Sequence, residues 1–335
     1  MPTLSEVARH AGVSPTTVSR YLNHNISLPQ ATRDKIDAAV AALGYRPNSL
    51  AKRLSTGKAE VIGLVTPDIA NPFFSALAAA VEDAASACGY GVYLSSTGGQ
   101  REKEVDALVR LADQAVDGLL MITNQPDDGT LAALLAQHRN VVLLDENIPG
   151  VTVPRVFVEN TIGSARVTQH LIDMGHRDIA VIAGPEALFS VGERLAGVTE
   201  ALEAGGVPMR PDWLFCGSYS RQFGYEAALE IARLTPRPTA IIALSDYIAI
   251  GVLQALRQLD LSVPEDISLV GFDDMPFAEL IDPPLTTIRQ PIEEMGRVGF
   301  SRLLAVLNGE AVPPVTRLPI ELVVRQSVRD LTKES

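Results

Sequence analysis

Thr3-Leu4-Ser5-Glu6-Val7-Ala8-Arg9-His10-Ala11-Gly12-Val13-Ser14-Pro15-Thr16-Thr17-Val18-Ser19-Arg20-Tyr21-Leu22 decides how the start of the chain folds. Thr3 followed by Glu6 reads as a capping box that opens a helix. Leu4, Val7, Ala8 and Ala11 then fall on one helical face. Gly12 stands where a left-handed residue closes a helix. Ser14-Pro15 starts another, with Ser as N-cap and Pro in the first turn. Val18 and Leu22 share a face of this second helix. Two short helices joined by a tight turn have helix-turn-helix spacing.

Working outward, Ile36, Ala39, Val40 and Leu43 predict a third helix from Pro29 to Leu43, ended by Gly44. Residues 1–58 carry eight Lys or Arg against three acids, a net +5, whereas the remainder carries −17 and the whole chain −12. A small basic module on a large acidic body points to a polyanion partner for the module. In helix-turn-helix geometry the second helix enters the major groove N-terminus first. Thr16 and Arg20 then reach base edges, Pro15 offers only apolar contact, and Ser14, Thr17 and Ser19 suit phosphate oxygens. The same pattern also fits a small helical cap with a solvated, charged face.

The residues of this region carry a resemblance. Thr3-Leu4, Val7-Ala8, Ala11-Gly12-Val13-Ser14, Thr17-Val18-Ser19-Arg20 and Leu22-Asn23 resemble the DNA-binding domain of LacI/GalR-family transcription regulators. So do Thr32-Arg33, Lys35-Ile36 and Leu43-Gly44-Tyr45 followed by Pro47-Asn48. The resemblance adds Thr3, Asn23, Tyr45 and Asn48 to the DNA-contacting set. It also implies that Asn48 to Leu54 form a hinge helix only on operator DNA, beside the dimer mate. Ala51 would then lie on the minor-groove floor and Leu54 wedge between base pairs, with Lys52 and Arg53 on phosphates or in the minor groove. Taken alone, a stretch this short is too short for a stable helix in water. Packing of Leu54 on the core is the other reading.

From Glu60 onward, short apolar runs alternate with helical stretches. Strands are predicted at Val61–Val65, Val92–Leu94, Gly118–Ile122, Val141–Leu144, Ile179–Ala183, Thr239–Ala243 and Ile267–Phe272, and helices at Phe74–Cys88, Glu102–Gln114 and Thr130–Gln137. That rhythm implies parallel sheets wound on both faces, in two lobes given the length. Asp68-Ile69-Ala70-Asn71-Pro72-Phe73-Phe74, Gly175-His176-Arg177 and Val263-Pro264 to Asp273-Asp274 resemble the periplasmic-binding-protein-like core of the same family. The expected domains are a helix-turn-helix at 1–46, hinge and linker at 47–58, and an effector-binding, dimerising core at 59–335. Within the core, the N-lobe is expected at about 59–160 and 291–320, and the C-lobe at about 161–290 and 321–335.

Ligands of such folds bind outside strand C-termini, between lobes where there are two. Candidates at those places are Asn71, Phe73, Phe74, Asp145, Glu146, Arg194, Ser245, Asp273 and Gln290, with Phe189 and Trp213 as further aromatic candidates. The paired Phe, Asp145, Arg194, Asp273 and Gln290 look like the set of pentose-binding relatives. Ser245 departs from the Asn common among sugar binders, and Glu146 from the Arg of ribose-type sites. Acids outnumber Arg194, so a neutral sugar or polyol is expected. A sugar acid or phosphate, acting by corepression or activation, is the alternative.

No GxSxG, HExxH or GxxxxGK[ST] occurs, and Gly57-Lys58 is followed by Ala59. His10, His24, His138, His170 and His176 show no metal-ligand spacing, and Cys88 and Cys216 form no CxxC. No enzyme activity, metal or cofactor is expected. The first residues show no secretory pattern and no apolar run is long enough to span a bilayer. A cytoplasmic homodimer on a pseudopalindromic operator, responding to a sugar and most often acting as a repressor, is what the resemblance implies. A lone sugar-binding transport protein would lack the first 58 residues.

Overall fold

The computed structural model of the protein describes residues 2–22, 26–45, 57–113, 115–124 and 128–334. Asn23, Asn48, Ala51, Lys52 and Leu54, and with them most of the expected hinge, lie outside the described residues. The chain divides between Ala59 and Glu60 into two units.

The first unit holds helices α1 (Leu4–Ala11), α2 (Pro15–Leu22) and α3 (Gln30–Leu43). The Thr3 capping box forms in full: its hydroxyl accepts from Glu6 N at 3.3 Å and its own N donates to Glu6 Oε2 at 2.7 Å. Gly12 closes α1 at φ 70°, a backbone state that costs glycine little. Ser14 Oγ accepts from Thr17 N at 3.1 Å and so caps α2. Val7, Ala8, Ala11, Val18, Ile36 and Ala39 form the core of this unit. Tyr21 hydroxyl donates to Asp37 at 2.9 Å and ties α2 to α3.

The second unit opens with strands β1 (Val61–Thr66), β2 (Gly91–Ser96), β3 (Gly118–Met121), β4 (Val141–Leu144) and β5 (Arg155–Val158). It continues with β6 (Ile179–Ala183), β7 (Leu214–Cys216), β8 (Ala240–Ala243), β9 (Ser268–Val270), β10 (Thr287–Arg289), β11 (Val315–Leu318) and β12 (Glu321–Val323). The N-lobe sheet is parallel, in the order β11-β5-β4-β3-β1-β2. The C-lobe sheet is parallel, in the order β7-β6-β8-β9, and β10 pairs antiparallel with β12. The chain passes between lobes after β5, after β10 and after β11.

Strand periodicity explains the two-sided winding, since successive side chains face opposite ways. Ile62, Leu64, Leu120 and Val142 pack with Leu77 and Val81 of α4 (Pro72–Ala87). Val65, Leu119, Met121 and Leu143 face the other way, onto Leu108 of α5 (Arg101–Ala112) and Leu131 of α6 (Thr130–Leu135). In the C-lobe, Val181 and Ala183 share a cluster with Val198 of α8 (Phe189–Ala204), which follows α7 (Asn160–Asp173). Ala180 and Ile182 face α9 (Arg221–Ile231) and α10 (Asp246–Gln258). The first of these clusters runs through both lobes and includes Met295 and Phe300 of α11 (Ile292–Leu307). The two-lobe, doubly wound α/β body and the helical N-terminal unit are the architecture expected from the sequence.

A core of six small or medium side chains leaves the first unit little reserve. Ile36→Ala, at a fully buried position, should cost it about 2–5 kcal/mol. The expected outcome is loss of DNA binding and of the N-terminal melting transition, with the transition of the larger unit unmoved in calorimetry.

Candidate functional site

On the first unit, α2 presents Pro15, Thr16 and Arg20 to solvent, with Ser14 exposed ahead of them. Thr17 and Ser19 are half-buried, and Val18 turns fully inward. Thr16 and Arg20, four apart, share the outer face. Ser14 and Thr17 hydroxyls lie 2.8 Å apart and are partly committed to each other. Thr3 is held as the α1 cap, and Tyr45 packs against the module core.

Between the lobes of the second unit, a narrow cleft is lined by Asn71, Phe73, Phe74, Asp145, Arg194, Tyr219, Ser245, Asp273 and Gln290. Its walls come from C-terminal strand ends. Asn71 caps α4 after β1, its Oδ1 accepting from Phe73 N at 3.1 Å. Asp145 follows β4, Tyr219 follows β7, Ser245 caps α10 after β8, Asp273 follows β9 and Gln290 follows β10. The left-handed φ angles of Asp145 (59°) and Asp273 (130°) are uncommon for non-glycine residues and cluster at this cavity. Gly271, just upstream, is required by crowding: a Cβ there would meet Asp246 Oδ1 at 2.1 Å.

Arg194 supplies the cavity's only cation among its lining residues. Its Nε donates to Asn160 Oδ1 and its Nη1 to the Leu244 carbonyl, each at 2.9 Å. Its guanidinium lies 3.9 Å from the centre of the Phe272 ring, which supports it from below. Burial works against this charge, but Tyr219, Asp273, Asp145 and Glu146 more than offset it and the guanidinium holds its proton firmly. Asp273 accepts from Ser245 Oγ at 2.9 Å and from Gln290 Nε2 at 2.7 Å. Burial raises the pKa of Asp145 and of Asp273, with Arg194 opposing it in both. Burial also drives the Tyr219 hydroxyl to about 12. Asp145 Oδ1 and Gln290 Oε1 are buried without a hydrogen-bond partner. An unpaired buried acceptor is costly, so both atoms favour an occupant that donates.

Three sequence candidates sit elsewhere. Glu146 turns to the start of α8, where its carboxyl accepts from Ser190 N at 2.7 Å. Phe189 stacks on Phe157 at 5.0 Å between ring centres. Trp213 is packed in the C-lobe core under Arg210 and does not line the cavity. A large aromatic beside a short strand buries more area there than a narrow polar cavity would accept. Tyr219, Asn160 and the supporting Phe272 were missed. Tyr219 follows an edge strand of three residues, too short to show a period, and Asn160 reveals its role only through Arg194.

Residues 3–48 match the model for bacterial regulatory proteins of the lacI family, and residues 168–328 match that for a periplasmic binding protein-like domain. The chain is 33% identical over 334 residues to the HTH-type transcriptional repressor PurR of Vibrio parahaemolyticus serotype O3:K6, covering 99% of this chain and all of that one. The chain belongs to the LacI family of bacterial regulatory proteins. Its structure is similar to that of the lac repressor dimer bound to operator and the anti-inducer ONPF (31% identity, TM-score 0.87, 98% of this chain and 99% of that one). It is also similar to a LacI-family regulator from Enterococcus faecium with bound ribose (29% identity, TM-score 0.72, 81% of this chain and 99% of that one). As a LacI-family member it is a DNA-binding transcriptional repressor and not an enzyme. Among the described residues, no helix is long and apolar enough to cross a membrane.

Glu146 offers a test of this electrostatic arrangement. Burial pushes its carboxyl up to about 8, against the Ser190 N–H that favours the charged form. Between the ordinary range near 4.5 and about 8, the folded chain keeps a proton that the unfolded chain has released. Stability therefore falls as pH rises through this window and levels off above it. Glu146→Gln keeps an acceptor for Ser190 and should flatten the fall. At pH 9 the variant is expected to melt more than about 2 °C above the parent, with no such gap at pH 5, in paired thermal scans.

Proposed function

We propose that this repressor acts as a homodimer on a pseudopalindromic operator, and that a small neutral sugar or polyol held between the lobes sets its operator affinity. One observation carries the ligand class: a narrow cavity in which a single buried guanidinium faces Asp145 and Asp273 and two acceptors lack partners. Hydroxyl groups donate to those acceptors and accept from Arg194. An anionic ligand would add negative charge where no second cation lines the wall. Phe73 and Phe74, edge-to-face at 5.3 Å, offer flat apolar surface for a ring face. The similar Enterococcus regulator with bound ribose supports the same reading.

On DNA, Thr16 and Arg20 read base edges, Pro15 meets an apolar group, and Ser14, Thr17 and Ser19 hold phosphates, with Thr3, Asn23, Tyr45 and Asn48 completing the contact. Ala51, Lys52 and Leu54 act in the minor groove at the operator centre. The ligand alters the packing of lobes between subunits and thereby whether two hinge segments meet, a coupling typically of about 1–3 kcal/mol. Induction by the sugar is the sign we favour.

A thermal-shift panel of neutral sugars, polyols, sugar acids, sugar phosphates and nucleobases tests the ligand. A binder at a hundredfold its Kd stabilises by about 2.7 kcal/mol, a shift of a few degrees. A neutral sugar or polyol should give that shift, and Gln290→Leu should abolish it. A response confined to phosphates, acids or nucleobases would overturn the class. Arg20→Ala should cost about 1–3 kcal/mol of operator binding and relax specificity at one base position, read by competition between operator variants.

A further inference from the structure

Deep in the cleft, Arg194, Asp273 and Gln290 are each exposed by 5% or less. These residues meet where the two lobes face each other, so whatever joins the lobes beside Arg194 bears on both the width of the cleft and the placing of that guanidinium. Arg317 lies on β11, opposite Phe157 of β5, in the N-lobe sheet. Glu193 lies on α8 of the C-lobe, one residue before Arg194. The two meet across the lobe boundary in a fork: Nη2 to Oε1 at 2.5 Å and Nη1 to Oε2 at 3.2 Å. Arg317 Nη1 also reaches the Val158 carbonyl at 3.3 Å, where β5 ends and the chain passes to the C-lobe.

The contact continues inward. Glu193 Oε2 also accepts from Asn160 Nδ2 at 3.2 Å, and Asn160 Oδ1 accepts from Arg194 Nε at 2.9 Å. Asn160 is fully buried and opens α7 at the lobe passage. Flat contacts hold the same line, with Arg317 5.4 Å over Phe157 and Phe157 on Phe189, four residues before Glu193.

We infer that Arg317, Glu193 and Asn160 form a positioning relay that latches the lobes and aims Arg194 into the cavity. A planar guanidinium suits this role because both of its bonds to one carboxylate fix orientation as well as distance. When the lobes part, Arg317 leaves Glu193 and Asn160 loses the fixed anchor that holds its Oδ1 against Arg194. Closing the lobes and setting the ligand-facing guanidinium are thus one event. Glu193 is only partly exposed at the boundary and Arg317 more so, so the ion pair breaks into water on opening rather than leaving two buried charges.

The inference rests on reading the cavity as the effector site only for its consequence. The latch itself is tested without ligand. Spin labels at exposed Lys103 of the N-lobe and exposed Glu230 of the C-lobe, in a Cys88→Ser, Cys216→Ser full-length chain, report the inter-lobe distance. Labelled chains are diluted into unlabelled protein to keep the readout within one chain. Arg317→Ala and Arg317→Lys should shift the distribution to longer or broader values, and Arg317→Glu combined with Glu193→Arg should move it back towards the parent. A merely structural role would lower the melting temperature and leave the distances alone. Unchanged distances in folded Arg317→Ala would overturn the latch, as would a charge swap no closer to the parent than Arg317→Ala. If Arg317→Ala fails to fold, Arg317→Lys and the swap decide. A silent ligand panel would instead remove the effector reading and leave these distances standing.

Discussion

One buried guanidinium makes it possible for the acidic strand ends of this protein to meet. Asp145 and Asp273 come from different lobes, and each is raised by burial and relieved by Arg194. Without that charge, both carboxylates would need protonation or water, and the boundary would open. The guanidinium is in turn fixed by a carbonyl, an amide and a ring rather than by an ion pair of its own. It therefore keeps electrostatic reach towards a ligand. The strained turns at Asp145 and Asp273 are part of the same bargain between fold and site.

The two units solve different problems. The N-terminal unit is small, so its helices depend on local devices: a capping box, a left-handed glycine and a Ser cap. The larger unit depends on strands buried on both faces, which makes its core indifferent to single caps. Its charge is opposite in sign to that of the basic module. Acidity keeps the body off the DNA while the module is drawn to it, and the association is correspondingly sensitive to salt.

What could be read from the sequence follows the range of the interaction. Thr3, Glu6, Gly12, Ser14 and Gly44 act within a few residues, and the structure places each as the sequence indicates. Buried strands such as β1, β4 and β6 stand out as continuous apolar runs, whereas β7, β11 and β12 are short or half-exposed and do not. Asn71, Asp145, Ser245, Asp273 and Gln290 were accessible through the strand-end rule, and they do share one cavity with Arg194. Glu146 follows the same rule yet turns to a helix start, because the adjacent left-handed Asp145 redirects the chain. Trp213 shows the opposite failure, since residue type alone does not separate a ligand platform from core. Asn160, Glu193 and Arg317 are joined over separations of up to 124 residues and left no local trace.

If a ligand between the lobes sets operator affinity, then operator must change ligand affinity by the same factor, whatever the route between the two sites. The most direct measurement is the Kd of the stabilising sugar for the full chain, taken by calorimetry with and without saturating operator selected from a random duplex pool. The expected result is a ratio well away from one, equal to the ratio of operator affinities with and without that sugar. A sugar affinity unaffected by operator would contradict the account, because it would leave the cavity occupied yet uncoupled from DNA.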